Sequence, residues 1–109
     1  MIQQGQIVII PFPFSDLSVK KVRPALVVSN RSLNDSSDII AVGISRTPGR
    51  DHMVEMDVDD FEQGTLSIKS YIHCHKIHQL EKVMVQDIVA KVKPNILEEV
   101  MKKINNYLV

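Results

Sequence analysis

An arginine near the N-terminus and a serine–arginine pair further along the chain are the residues best suited to bind an anionic substrate. Arg23 stands at the start of an apolar run, 22–30. Ser45 and Arg46 follow a second apolar run, 41–44. A guanidinium is a planar fork that matches two phosphate oxygens, and a hydroxyl can donate to another oxygen. The residues alone leave a plain alternative open, in which Arg23 caps a strand or pairs with an acid and Ser45 simply ends a strand.

A cluster of histidines is the second candidate for chemistry. His73 and His75 are separated by one residue, so on a regular strand both side chains lie on the same face. Imidazole titrates near neutral pH, so such a pair could divide the roles of general base and general acid. The alternative is two half-exposed strand histidines, for example at a dimer interface. A zinc site with His78 is disfavoured because Cys74 would face away from its neighbours, as a small buried residue.

Composition limits the class of protein. The 109 residues are 44% hydrophobic, which predicts one folded domain, 1–109, and not a disordered chain. The 13 basic and 13 acidic residues balance, so a nucleic-acid site would have to concentrate positive charge locally or gather it from two chains. A single cysteine, no signal peptide and no apolar run of about 20 residues predict a cytoplasmic protein without membrane association. The absence of a glycine-rich phosphate loop and of paired cysteines predicts no cofactor.

The hydrophobic pattern predicts a mainly β fold with one helix at the C-terminal end. Apolar residues recur every three or four positions in 94–108, which indicates an amphipathic helix beginning at Pro94. Polar segments predict loops at 15–21 and 30–38, and 59–64 is expected to form a turn or a single helical turn. Strands are expected at 6–12, 22–29, 38–45, 52–58, 67–79 (as one or two strands), 83–85 and 88–92. Roughly five to seven short strands and one helix indicate a small, partly open barrel.

Several of these segments, taken in order, resemble the MazF/PemK (Kid) family of bacterial toxin endoribonucleases. The family opens with a glycine, a polar residue and an apolar strand, here from Gly5. It continues with Arg-Pro, an apolar run and a serine, here 23–29, and then with an apolar strand that ends in Thr or Ser, here Ser45. Segment 64–82 looks like the family's central strand pair, and the terminal helix also fits. The resemblance covers most of the chain and is densest up to Ser45.

The resemblance implies an SH3-like barrel that acts as a homodimer. It further implies a metal-independent, sequence-specific endoribonuclease that inhibits growth by cleaving single-stranded RNA, such as mRNA. In such a reaction the RNA's own 2′-hydroxyl attacks the phosphorus, leaving 2′,3′-cyclic phosphate and 5′-hydroxyl ends. The expected partner is a cognate antitoxin protein that neutralises the toxin. The complex of toxin and antitoxin is expected to bind DNA.

The resemblance also assigns roles to the candidate residues. Arg23 falls on the family's catalytic arginine, and Ser45 falls on its catalytic Thr or Ser. In the plasmid branch of the family, an arginine and an acidic residue stand at what look like the positions of His73 and His75. The two histidines therefore depart from the family pattern. They either supply another workable acid–base pair or remove that chemistry.

Four further residues are candidates for RNA contacts. Lys20 and Lys21 lie in the predicted loop before Arg23, and in the family this loop moves between the free and antitoxin-bound states. Arg46 could contact the RNA backbone, although it would point to the opposite face from its neighbour if the strand continued. His78 stands where relatives often carry arginine. For all four residues the alternative is an ordinary solvated surface.

Two other functions compete with RNA cleavage on this barrel. One is a toxin class that poisons DNA gyrase through C-terminal residues such as Trp-Gly-Ile. This chain ends in Tyr107, Leu108 and Val109 and contains no tryptophan, which argues against that class. The other is a noncatalytic SH3-like binding protein that retains the antitoxin groove. It is supported in the sequence by His73 and His75, which depart from the residues that the family carries at these positions.

Overall fold

The protein folds as a curled, fully antiparallel sheet with a helix packed against one face. The fold comes from a computed structural model that describes residues 1–12, 21–49, 51–66 and 68–109. Within those ranges, seven strands follow the order β4-β6-β3-β2-β1-β7-β5. The strands are β1 (Gln6–Phe12), β2 (Lys21–Val27), β3 (Asp38–Ser45), β4 (Met53–Met56), β5 (Phe61–Gly64), β6 (Ser70–Glu81) and β7 (Asp87–Val92). This confirms the predicted mainly β half-barrel.

The helices are α1 (Arg31–Asn34) and α2 (Pro94–Leu108). Helix α2 has the predicted bounds, with proline at its first position. Its buried residues, Ile96, Val100 and Ile104, are four apart and form one stripe against the sheet. No helix in the described part of the chain has the length and apolar character needed to span a bilayer.

Two predicted elements were wrong, and a third, the turn or single helical turn expected at 59–64, was right only at its start. Segment 83–85 is not a strand, because the chain closes a 3₁₀ turn at Lys82–Met84, where Val85 N–H donates to the Lys82 carbonyl. The predicted loop at 30–38 contains α1, which is capped by the side chain of Asn30. The predicted turn at 59–64 becomes a 3₁₀ turn followed by β5. Strand β5 ends at Gly64, where φ is 63° and an added Cβ would lie 2.2 Å from the Val89 carbonyl oxygen.

The sheet buries side chains on both faces. Successive residues of β1 show this, because Ile7 belongs to the cluster that packs under α2 and Val8 belongs to a second cluster on the other face. Leu26 and Val27 of β2 divide between the two clusters in the same way. Burial of alternate residues on opposite faces holds the strand register, since a slip of one residue would exchange the two faces.

A large bulge in β6 interrupts its pairing with β3. The ladder pairs Val42 with Ile77, and its next pair joins Ile44 to Ile72. Over that step β3 advances by two residues while β6 advances by five. The extra residues of β6 lie in segment 73–76, opposite Gly43. Such a bulge re-aims the side chains that it carries, so regular alternation cannot be assumed from His73 onward.

Candidate active site

Three adjacent strands bring the predicted catalytic residues to one cleft. Arg23 lies near the start of β2, Ser45 ends β3 and His73 lies in β6, and these strands are neighbours in the sheet. The cleft has two lobes that share Arg23, Ile44 and Ser45. The large lobe has a volume of about 760 Å³. The small lobe has a volume of about 250 Å³ and contains His73.

The large lobe is lined by both apolar and polar side chains. The polar lining includes Arg23, Ser45, Arg46 and Thr47. The apolar lining comes from several strands and from the segment after β5, and includes Ile9, Val22, Pro24, Ile44, Leu66 and Ile68. A lobe of this character can accept a flat, largely apolar group while its polar side chains contact charge.

The contact between Ser45 and His73 is the best-defined interaction of the cleft. Ser45 Oγ lies 2.7 Å from His73 Nε2. The same hydroxyl oxygen accepts a hydrogen bond from the backbone N–H of Thr47 at 3.2 Å and lies 3.1 Å from the Thr47 carbonyl oxygen. The hydroxyl is therefore held in place by the turn that follows β3, and it in turn orients the imidazole ring.

The surroundings of His73 favour its neutral form. Burial lowers the pKa of His73 below its ordinary value of 6.5, and the positive charges of Lys76 and His75 lower it further. A neutral imidazole at neutral pH can accept a proton, which is the requirement for a general base. Arg23 lines the same small lobe and brings its positive charge to it, and its Nε atom is buried.

The small lobe gathers positive charge in a chain whose net charge is zero. Arg23 and Lys76 line it with positively charged groups, beside the imidazole rings of His73 and His78. None of the described residues that line either lobe is acidic. Sequence reasoning missed Lys76, because on a regular strand it would face away from His73. The glycine opposite the bulge, Gly43, was the available signal, since a glycine inside a strand often marks a bulge or a close approach.

His75 lies outside both lobes. Its ring centroid is 6.3 Å from that of His73 and 5.3 Å from that of His52. His52 Nδ1 in turn lies 2.8 Å from the hydroxyl oxygen of Tyr107. We refer to His52, His75 and Tyr107 as the ring cluster. The two predicted histidines thus flank the buried Cys74 but have different neighbours.

The RNA-contact candidates are placed unequally. Arg46 is exposed and lines the large lobe, because β3 ends at Ser45 and the chain bends there instead of continuing as a strand. His78 is half-buried in the small lobe. Lys20 lies outside the described residues. Lys21 begins β2, where its backbone pairs with Phe12.

The candidate metal ligands do not converge. Over the ranges that the structure describes, no three His, Cys, Asp or Glu side chains come together in a metal-binding arrangement. Cys74 is fully buried among the core residues under α2, as predicted. Burial raises the pKa of its thiol to about 11, which disfavours the thiolate that a metal would need.

Comparison with known sequences decides the family. Residues 3–108 match the profile of the PemK-like, MazF-like toxins of type II toxin-antitoxin systems. The chain belongs to this family. The comparison with curated protein sequences gave no match.

Solved structures of two endoribonucleases and of one MazF protein share this fold. An endoribonuclease from a Mycobacterial species, solved with its cognate antitoxin, is 21% identical with a TM-score of 0.82, over 99% of this chain and 95% of that chain. A second Mycobacterial endoribonuclease is 23% identical with a TM-score of 0.77, over 98% and 90%. MazF from Deinococcus radiodurans is 20% identical with a TM-score of 0.78, over 98% and 96%. At these identities the likeness establishes the fold.

Proposed function

We propose that this toxin is a metal-independent endoribonuclease that cleaves single-stranded RNA at specific sequences. The observation that carries the proposal is the convergence of Arg23, Ser45 and His73 on a cleft whose described lining contains no acidic residue. A phosphodiester is the anion that such a cleft suits, because its charge is complementary to the cations and its oxygens accept the available donors. The endoribonuclease activity of the two Mycobacterial proteins with this fold supports the same assignment.

The residues of the cleft can perform strand cleavage by the RNA's own 2′-hydroxyl. His73 is neutral at neutral pH and is held by Ser45 at Nε2, so its other ring nitrogen, Nδ1, accepts the proton of the 2′-hydroxyl as the 2′-oxygen attacks phosphorus. The guanidinium of Arg23 and the hydroxyl of Ser45, which turns from the Thr47 carbonyl to the substrate, stabilise the charge on the nonbridging oxygens. The bond to the 5′-oxygen breaks, that oxygen takes up a proton from water, and the products carry 2′,3′-cyclic phosphate and 5′-hydroxyl ends.

Two protein partners complete the proposal. A cognate antitoxin binds the toxin and blocks it, by analogy with the Mycobacterial complex of the same fold. The active form is a cytoplasmic homodimer of 109-residue domains. Pairing two chains would double the number of cationic clefts, which is one way for a chain of zero net charge to bind an extended RNA.

The test is cleavage of a long single-stranded RNA in EDTA by the wild type and by Arg23→Ala. We expect the wild type to cut and the variant to lose about 10²-fold or more in rate, because a positioned cation acts on charge that develops in the transition state. Arg31→Ala is the matched control, since Arg31 is exposed on α1 and pairs with Asp35 away from the cleft. The control should cut like the wild type, and the 5′ fragments should end in cyclic phosphate.

The competing function is a noncatalytic protein that only binds its partner. A folded wild type that cuts no RNA would favour it. Cutting by Arg23→Ala at the wild-type rate would instead remove Arg23 from the proposed chemistry. Cutting that stops in EDTA and returns with a divalent cation would instead replace the metal-independent mechanism.

A further inference from the structure

The bulge of β6 builds a second cationic position beside the proposed scissile site. It brings Lys76 and His78 into the same lobe as His73, which regular alternation along a strand would not do. Lys76 is exposed to solvent, and its charge contributes to lowering the pKa of His73. Its ammonium group is therefore both accessible and electrostatically coupled to the cleft.

Gly43 lines the small lobe together with Lys76. An added Cβ on Gly43 would lie 3.9 Å from the Cβ of Lys76, so the glycine brings β3 close to the base of the lysine side chain. Five of the seven residues that line the lobe of about 250 Å³ are polar or charged, and Arg23 and Lys76 bring positive charge to it. The lobe of about 760 Å³ is lined by six apolar residues among eleven and has room for a larger group. Of the parts of a nucleotide, a phosphate group suits the first lobe and a base suits the second.

Arg23 and Ser45 stand where the two lobes meet, and they are the proposed ligands of the scissile phosphate. A single-stranded RNA that crosses this junction must continue with its next phosphate on one side. We propose that the small lobe binds a phosphate adjacent to the scissile one and that Lys76 is its binding residue. This inference rests on the proposed RNA cleavage and adds a subsite to it.

Lys76→Ala tests the subsite. A contact to a phosphate that does not react is made equally in the ground state and in the transition state. We therefore expect roughly a tenfold rise in KM with kcat within about twofold of the wild type. The dependence of log KM on log salt concentration should become shallower by about 0.7, the value for one lost contact to a single strand. Lys76→Arg should restore most of the affinity.

Lys91→Ala is the matched control, because it removes the same charge from a lysine that contacts Gln3 and lines neither lobe. A drop in kcat with unchanged KM for Lys76→Ala would overturn the proposal and make Lys76 part of the chemistry. Equal behaviour of Lys76→Ala and Lys91→Ala would also overturn it, while leaving RNA cleavage by the wild type intact.

A change in the substrate identifies the phosphate. The probe is a short deoxyoligonucleotide with one ribonucleotide at a mapped cleavage position, carrying a neutral methylphosphonate at either neighbouring linkage. At one of the two linkages, the methylphosphonate should raise the KM of the wild type roughly tenfold. The same substitution should leave the KM of Lys76→Ala almost unchanged, because that variant has already lost the contact. Additive losses at both linkages would show that Lys76 binds neither neighbour. If the wild type cuts no such substrate and no RNA, it is the proposed function that fails.

Discussion

His73 and His75 are the same residue type and are separated by one position in the sequence, yet they lie in two different regions of the molecule. His73 is half-buried in the small lobe, with its Nε2 atom 2.7 Å from Ser45 Oγ. His75 is exposed and belongs to the ring cluster, where its neighbours are His52 and, one ring further, Tyr107. The first region is lined by cations around a hydroxyl, and the second by aromatic rings.

The difference comes from the strands on either side of β6. Strand β3 ends at Ser45 and places a hydroxyl on one flank of the bulge, beside His73. On the other flank, β4 begins just after His52, whose carbonyl accepts a hydrogen bond from Cys74 N–H. Two histidines separated by one residue of β6 thus receive different partners from two neighbouring strands. Closeness in the sequence therefore does not establish a shared role.

Of the variants considered, Ser45→Ala should have the largest effect on the His73 region. The change removes the hydroxyl that orients His73 and that we propose contacts the scissile phosphate. We expect kcat to fall roughly 10²-fold with little change in KM, because both losses are felt in the transition state. Single-turnover cleavage in EDTA measures this, with Ser32→Ala on the exposed face of α1 as the control. A Ser45→Ala enzyme with wild-type kcat would remove Ser45 from the chemistry.

The pH dependence of His73 should have a smaller effect, and it also distinguishes the His73 region from the ring cluster. Burial and the neighbouring charges lower its pKa, so the folded chain binds this proton less readily than the unfolded chain does. The contribution of neutral His73 to stability is therefore complete above the ordinary value of 6.5 and is lost as pH falls through that value toward the lowered one. NMR titration of the histidine rings should give His73 a pKa below 6.5, and the acid limb of the cleavage rate should have its midpoint there. A midpoint at or above neutral pH would contradict the proposed base.

Hydrophobic periodicity was enough to predict the elements on which the fold depends. Helix α2 has the predicted bounds because its apolar residues recur every three or four positions. Strands β1 and β3 also have the predicted bounds, because each is a short run rich in Ile and Val between polar segments. Local turn chemistry was harder to predict. The 3₁₀ turn at Lys82–Met84 contains the apolar residues of a strand, and only its backbone hydrogen bonds distinguish the two.

The site could be predicted only in part. Arg23 and Ser45 were predicted through a resemblance to a family, and the neighbouring strands β2 and β3 bring them to one cleft. Lys76 could not be found from alternation, because the bulge opposite Gly43 depends on a register that forms only when β3 and β6 pair. The contrast between His73 and His75 depends on the same pairing and on β4.

The central claim is that RNA cleavage is organised by the Ser45–His73 side of β6 and not by the ring cluster. Single-turnover cleavage in EDTA by His73→Ala and His75→Ala at neutral pH tests it directly. We predict a loss of roughly 10²-fold or more for His73→Ala, which removes the proposed general base, and a loss of less than about threefold for His75→Ala. Equal losses in the two variants, or a larger loss for His75→Ala, would contradict the account.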